Sequence, residues 1–214
     1  MRQTLTVRDD ISVSLPDGPV GILFSGGVES SLLVYFALTQ LIKYPLHLFT
    51  VSVNFRNFNQ HIITARVLSK LCEITNNYNV YQHFTIGNSM KAAETMFYTP
   101  YDFVLKHRII NCFLAGGNAN PPDDVIAGTK FFNFTNRRPW NDDARSPYVE
   151  RPLKVEPVVY ATFTNINKQD VFRLYKDNGL LESVLPLTQT CGVEPPCGEC
   201  WQCFERNWGS KFDD

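Results

Sequence analysis

The stretch VGILFSGGVESSLLVYFALTQLIK (residues 20–43) decides the fold. Its first five residues form an apolar run behind the chain-breaking PDGP of residues 16–19, which reads as a short buried strand. SGGVESS (residues 25–31) follows at once, and apolar residues then recur at helical spacing to about Lys43. A strand that runs through such a turn into a helix gathers free backbone N–H groups and the positive helix end around one small volume, and anions bind there. Gly26 and Gly27 let the backbone approach phosphate oxygens with no Cβ in the way, and the hydroxyls of Ser25, Ser30 and Ser31 donate hydrogen bonds. The Walker lysine pattern and GxGxxG are both absent, which speaks against a P-loop kinase and a dinucleotide-binding protein. A serine-capped turn with no ligand is the plain alternative.

Working outward, residues 4–7 and 11–15 alternate apolar and polar around Arg8-Asp9-Asp10 and read as a β-hairpin placed before the main fold. Residues 46–55 read as a second strand, 60–75 as an amphipathic helix and 79–86 as a third strand. Residues 90–97 and 101–114 read as two helices separated by Pro100, and 125–128 (VIAG) as a fourth strand. A fifth strand is expected at 155–159, a helix at 167–178 stopped by Gly179, and a cysteine knot at 191–203. The alternation argues for an α/β protein, a Rossmann-like doubly wound, mainly parallel sheet with its ligand at the carboxyl ends of the strands. Residues 129–153 are too long a connection to be a plain loop.

The chain has 214 residues, 44% hydrophobic and 19% charged, which allows a sizeable core and excludes disorder and a coiled coil. Twenty Lys and Arg against 21 Asp and Glu give a net charge of −1, so no general attraction to nucleic acid or to an anionic membrane is expected. The longest apolar run, residues 32–38, is too short to span a bilayer, and the first fifteen residues lack an apolar signal segment; a cytoplasmic protein is expected.

Four of the six cysteines, Cys191, Cys197, Cys200 and Cys203, fall within thirteen residues, whereas Cys72 and Cys112 stand alone in apolar helical patterns and read as core. Two overlapping CxxC units from one segment fold around a tetrahedral ion, and four thiolates leave no open position for water, so zinc there is structural. An iron–sulfur cluster, a redox pair and disulfides are the competing readings of the spacing. None of the four histidines has metal spacing.

SGGVES resembles the SGGxDS signature of the PP-loop ATP pyrophosphatases, with Glu29 standing where that family has Asp. TQTCGVEPPCGECWQCFERN (residues 188–207) resembles the tail of one branch, the 7-cyano-7-deazaguanine synthases (QueC). VEPVVYATFTNINKQDVFRLYKDNG (residues 155–179) resembles a further segment of that branch, with Lys168 and Asp170 on its Lys and acid. The branch's Asp and Arg motif is not plain in residues 128–146, where Asp143-x-Arg145 is a remnant at most.

The resemblance implies an N-terminal hairpin at 1–18, an ATP pyrophosphatase domain at 19–186 and a zinc-binding segment at 187–214. It implies a ligase that adenylates the carboxylate of 7-carboxy-7-deazaguanine with ATP and Mg²⁺, amidates it with ammonia and carries it on to the nitrile, releasing AMP and pyrophosphate. Ser25, Glu29, Ser30 and Lys168 would be catalytic. Ser25, Gly26, Gly27, Val28, Ser30 and Ser31 would hold the phosphates, Val53 and Asn54 the adenine, and Cys191, Cys197, Cys200 and Cys203 the Zn²⁺. Arg108 and Lys130 would approach the same side, with His107 the histidine nearest to it, and Phe131, Phe132, Phe134 and Trp140 offer planar faces for a base. The partners would be a deazapurine acid and ammonia, no membrane and no nucleic acid, with a homodimer left open. The alternatives are another PP-loop activity, tRNA thiolation or amidation of a different small acid, and a non-catalytic nucleotide-binding module.

Overall fold

Period-two alternation at the amino end folds as expected, into β1 (Arg2–Arg8) and β2 (Ile11–Pro16), an antiparallel hairpin with Leu5 facing Val13. Leu5, Val7, Ile11, Val13 and Leu15 are buried while the residues between them point outward. These side chains join the core that surrounds the first helix. Gln40 of that helix fastens the hairpin, accepting from Thr6 N–H at 2.8 Å and donating to Thr6 O at 2.7 Å.

The computed structural model describes residues 2–53, 60–87, 92–132, 148–150 and 158–212. The order is β3 (Val20–Leu23), α1 (Val28–Gln40), β4 (Leu46–Val53), α2 (Gln60–Thr75), β5 (Val80–Gly87), α3 (Ala92–His107), β6 (Cys112–Asn118), α4 (Asp123–Ile126), β7 (Tyr148–Glu150), β8 (Val158–Phe163), α5 (Lys168–Asp177) and α6 (Trp201–Gly209), with a 3₁₀ turn at Leu185–Leu187. Strands lie side by side as β5-β4-β3-β6-β8-β7, the first five parallel and β7 antiparallel to β8. The chain steps outward from β3 to β5 and then crosses back to β6, so the topological switch lies between β3 and β6, where open α/β sheets bind ligands.

Both sheet faces are covered. Ile22, Leu48 and Leu114 pack with α1, α2 and α5, while Phe49, Phe113 and Val159 pack with Tyr101, Val104 and Ile110 on the α3 side. Each such side chain taken out of water contributes about 1.5–3 kcal/mol. Helix α1 is buried almost all round, with Val28 to Val34 all buried, which is why its sequence shows so little polar face. Among the described residues no helix is long and apolar enough to cross a membrane.

Three sequence expectations need correction. The fourth strand is not residues 125–128 but Cys112–Asn118, in the stretch read as a helix tail, and Cys112 therefore lies on a strand rather than a helix. Arg108 adopts a left-handed φ of 50° and ends α3, which frees CFLAGGN to enter the sheet between β3 and β8. A short apolar run does not by itself distinguish strand from buried helix. Residues 123–126 form a helical turn instead, with Pro122 before it and Asp123 and Asp124 in it, a helix-start pattern. Finally, α3 runs straight through Pro100, whose lost hydrogen bond is offset by the burial of Tyr101 and Val104.

Candidate functional site

The turn at residues 25–31 sits at the carboxyl end of β3, and its carbonyls are tied down on the outside. Thr50 Oγ1 donates to Phe24 O at 2.8 Å, and Gln60 Nε2 donates to Ser25 O at 2.7 Å. Gly26 takes φ +72°, and a Cβ there would come within 3.0 Å of Ile63 Cγ2, so the position demands glycine on both counts. Ser25 Oγ and Ser30 Oγ lie 3.0 Å apart, Gly27 N–H donates to Ser25 Oγ at 3.2 Å, and Ser31 N–H donates to Gly27 O at 3.0 Å, opening α1. Gly27 caps this helix without a side chain, which leaves the first-turn amides of a 13-residue helix with no side-chain cap.

That turn borders a cavity of about 220 Å³ at the ends of β3, β4 and β6, lined among others by Ser25, Glu29, Ser30, Val51, Gln60 and Gly116. A Cβ on Gly116 would stand 2.9 Å from Glu29 C and Ser30 N, so β6 closes against the helix start. A larger cavity of about 750 Å³ lies at the amino ends of the strands, lined by Arg2 and Arg108 among others, and has no such turn. Arg108 and the neighbouring His107 thus belong to the end of the sheet opposite the turn at residues 25–31, contrary to expectation.

Glu29, which lines the cavity, also joins a buried charge network. Lys168 Nζ donates to Glu29 Oε1 and lies 3.6 Å from Glu205 Oε2, and Asn118 Nδ2 donates to Glu205 Oε1 at 3.0 Å. Lys168 and Glu205 are 2% and 1% exposed, deep enough that each needs its partner. Burial pushes the Lys168 ammonium down to about 8, against the pull of Glu205. Lys168 opens α5 behind an Asn167–Asp170 capping box, and Gly209 of α6 lies close enough that a Cβ would fall 2.4 Å from Lys168 Cγ. From α5, Tyr175 donates to Val28 O at 2.8 Å, and burial pushes its phenol up. Lys168 was expected to reach the pyrophosphate; the structure places it under the first turn of α1, shared between two carboxylates.

The four cysteines of residues 191–203 come together, with all four Sγ atoms within 4.8 Å of one another. Cys191 Sγ lies 3.7 Å from Cys197 Sγ and 3.8 Å from Cys200 Sγ, and Cys197 Sγ lies 4.0 Å from Cys203 Sγ. Sulfurs at 2.3 Å from one tetrahedral ion stand about 3.8 Å apart, so the set fits a single metal ion. Gly198 supplies φ +74° inside the first CxxC unit, and Cys200, shared by both units, caps α6. Amides of Glu199 and Cys200 draw the Cys197 thiol down to about 6, while burial pushes Cys203 up to about 12. Cys72 and Cys112 are buried and free, as expected of core residues.

The knot and the turn touch. Gln189 N–H donates to Gly26 O at 2.9 Å. Arg206 Nη1 donates to Thr188 O at 3.1 Å and Thr188 Oγ1 at 2.9 Å, and Nη2 to Leu185 O at 3.0 Å. Burial lowers the Arg206 guanidinium from its usual value. Gln60, Gln189, Glu205 and Tyr175 carried no signal in the sequence, since each acts through a contact far along the chain.

Of the other residues singled out, Val53 ends the backbone of β4, and Asn54, Phe134, Trp140, Asp143 and Arg145 lie outside the described residues. Phe131 packs edge-on against Trp201 at 5.5 Å and beside Phe204 at 5.2 Å, with Lys130 Nζ 5.3 Å from its own ring centre. Its face is therefore occupied, whereas Phe132 is exposed.

Residues 12–83 match a family model described as asparagine synthase, about a third of the chain, running from β2 through the turn at residues 25–31 into β5. No curated protein matches the sequence. Among solved structures, the chain is similar to the U34-tRNA thiolase NcsA from Methanococcus maripaludis with its [4Fe-4S] cluster, at 14% identity and a TM-score of 0.45. The alignment covers 91% of this chain and 64% of the thiolase chain, so the chain spans less than two thirds of that protein's length.

Proposed function

We propose that the protein is an ATP-dependent carbon–nitrogen ligase of the 7-cyano-7-deazaguanine synthase type, acting on a deazapurine carboxylate. One observation carries the reading: the cysteine-rich tail that resembles that branch closes, through Gln189, on the SGGVES turn that resembles the wider family's signature. The match of residues 12–83 to the asparagine synthase family supports ATP use over this region.

In this reading the triphosphate lies against Ser25, Gly26, Gly27, Val28, Ser30 and Ser31, with the amides of the first turn of α1 on the β and γ phosphates. The adenine takes the end of β4 near Val51 and Val53. A carboxylate oxygen of the acid attacks the α-phosphorus, the bond to the β-phosphate oxygen breaks, and pyrophosphate leaves with the electron pair. Ammonia adds to the acyl carbon, AMP departs, and the surplus proton passes to solvent. The chain's own part is alignment and charge stabilisation, since no covalent protein nucleophile is needed. Mg²⁺ enters with the nucleotide, for Glu29 is committed to Lys168. Cys191, Cys197, Cys200 and Cys203 would hold Zn²⁺, which when bound neutralises thiolate charge and cross-links the segment.

The test is incubation with ATP, Mg²⁺, ammonium and 7-carboxy-7-deazaguanine. AMP and pyrophosphate in step with amide or nitrile, read by mass spectrometry, are the expected products; ADP and phosphate would overturn the proposal.

A further inference from the structure

We infer that Arg206 is a positioning residue for the anion turn, and that helix α6 transmits the state of the cysteine knot to it. The inference rests on the nucleotide reading of the turn. Two consecutive residues of one helix reach both ends of that turn by separate routes. Arg206 fixes Thr188 and Leu185 with three hydrogen bonds, and the next residue, Gln189, donates to Gly26 O. Glu205 holds Lys168, and Lys168 holds Glu29, three residues beyond Gly26.

The stretch Thr188–Thr190 forms the outer wall of the turn. An added Cβ on Gly27 would meet Thr190 Cγ2 at 3.6 Å and Gln189 O at 3.7 Å. This wall follows the 3₁₀ turn and belongs to no helix or strand, so its position depends on what grips it. All three acceptors of Arg206 are neutral, two carbonyls and a hydroxyl, so the guanidinium serves as a rigid fork rather than as half of a charge pair. The fork in turn sits on a helix whose cap is Cys200 and whose first turn holds Cys203, two of the four metal-fitting thiols. An ion in the knot fixes the start of α6 and hence Arg206; without it the wall loses its anchor while the sheet keeps its core.

A gripped wall favours ligands that press on the turn's amides and leaves the adenine end alone. Calorimetric titration of the metal-loaded protein with pyrophosphate, ATP and adenosine tests this, on wild type, Arg206→Lys and Thr188→Val. Arg206→Lys should lose about tenfold in affinity for pyrophosphate and ATP with adenosine unchanged, a coupling of ordinary size for linked sites. Amide hydrogen exchange at Gly26 and Gly27 should speed up in the same variant. Thr188→Val, which removes one acceptor and keeps the fold, should show a smaller loss of the same selectivity. Stripping the knot with a chelator and restoring Mg²⁺ afterwards should reproduce the Arg206→Lys pattern. Equal losses for adenosine and pyrophosphate, or no loss in any variant, would overturn the inference. Wild type that binds none of the three ligands would instead overturn the nucleotide reading, and with it everything that rests on it.

Discussion

Glu29 and Lys168, 139 residues apart, meet beneath the first turn of α1 with almost no access to solvent, and Glu205 shares the same ammonium from the other side. One cation between two carboxylates makes the lysine the member that cannot be spared. Lys168→Met should destabilise the fold by about 3–5 kcal/mol, because two buried acids are left facing each other. Glu29→Gln should cost less, since Lys168 keeps Glu205. Urea midpoints of the two variants decide the order; a smaller loss for Lys168→Met would contradict the network.

Glu29→Asp restores the residue of the SGGxDS signature but shortens the reach to Lys168. Stability should fall by about 1–3 kcal/mol as the buried ammonium loses its nearest partner. An unchanged thermal melt in Glu29→Asp would show that the acid's length is immaterial here, and a rise would contradict the pairing with Lys168.

Gly116 and Gly117 are neighbours on β6 with opposite surroundings. A methyl on Gly116 would meet backbone of Glu29 and Ser30 at 2.9 Å, whereas nothing lies within 4 Å of one on Gly117. Gly116→Ala should cost about 1–3 kcal/mol and weaken pyrophosphate binding, as the helix start is pushed off the strand. Gly117→Ala should be nearly silent on both measures, a contrast readable from paired melts and titrations.

His47 Nδ1 and His83 Nε2 lie 3.0 Å apart on adjacent strands, with the His83 ring stacked on Phe49 at 4.6 Å. Burial pulls both imidazoles below their usual value of 6.5, and the neighbouring His83 lowers His47 further. The unfolded chain therefore binds protons there more readily than the folded one. The pair's contribution is fully present above about pH 6.5 and is lost as pH falls through the lowered folded values. Urea midpoints of wild type should drop between pH 7.5 and 5 more steeply than those of His83→Phe; parallel curves would contradict the assignment.

The knot and the core cysteines should separate under a thiol reagent. With metal bound, few thiols should react; after chelation the four of the knot should react, while Cys72 and buried Cys112, pushed up to about 12, stay silent until the protein unfolds. Metal analysis should return about one zinc per chain, and visible absorption from iron would contradict the assignment to zinc.

The amino-terminal half of this fold is legible in sequence because each piece is written locally. The hairpin shows in its alternation, β3, the turn and α1 in one unbroken string, and β4, α2 and β5 in clean periods. Beyond α3 the local code weakens. CFLAGGN is apolar on both faces, as a central strand must be, and so carries no period, while Pro100 signals a break that packing overrides. The cysteines announce their own gathering, but nothing near Lys168 says that it will be buried, and nothing near Gln189 says that it will meet Gly26. Those facts belong to contacts across most of the chain's length.

The separation of Gly26 from Gln189 has a temporal side. A ribosome delivers the glycines long before Lys168, Gln189 and Arg206 exist outside the tunnel, at roughly 5–20 residues per second. Until then the carboxylate of Glu29 has no ammonium to meet, and the first turn of α1 has no wall to lean on. The contacts around the turn are therefore complete only late in synthesis, together with the segment that brings the thiols, and on the proposed nucleotide reading so is its grip on a triphosphate.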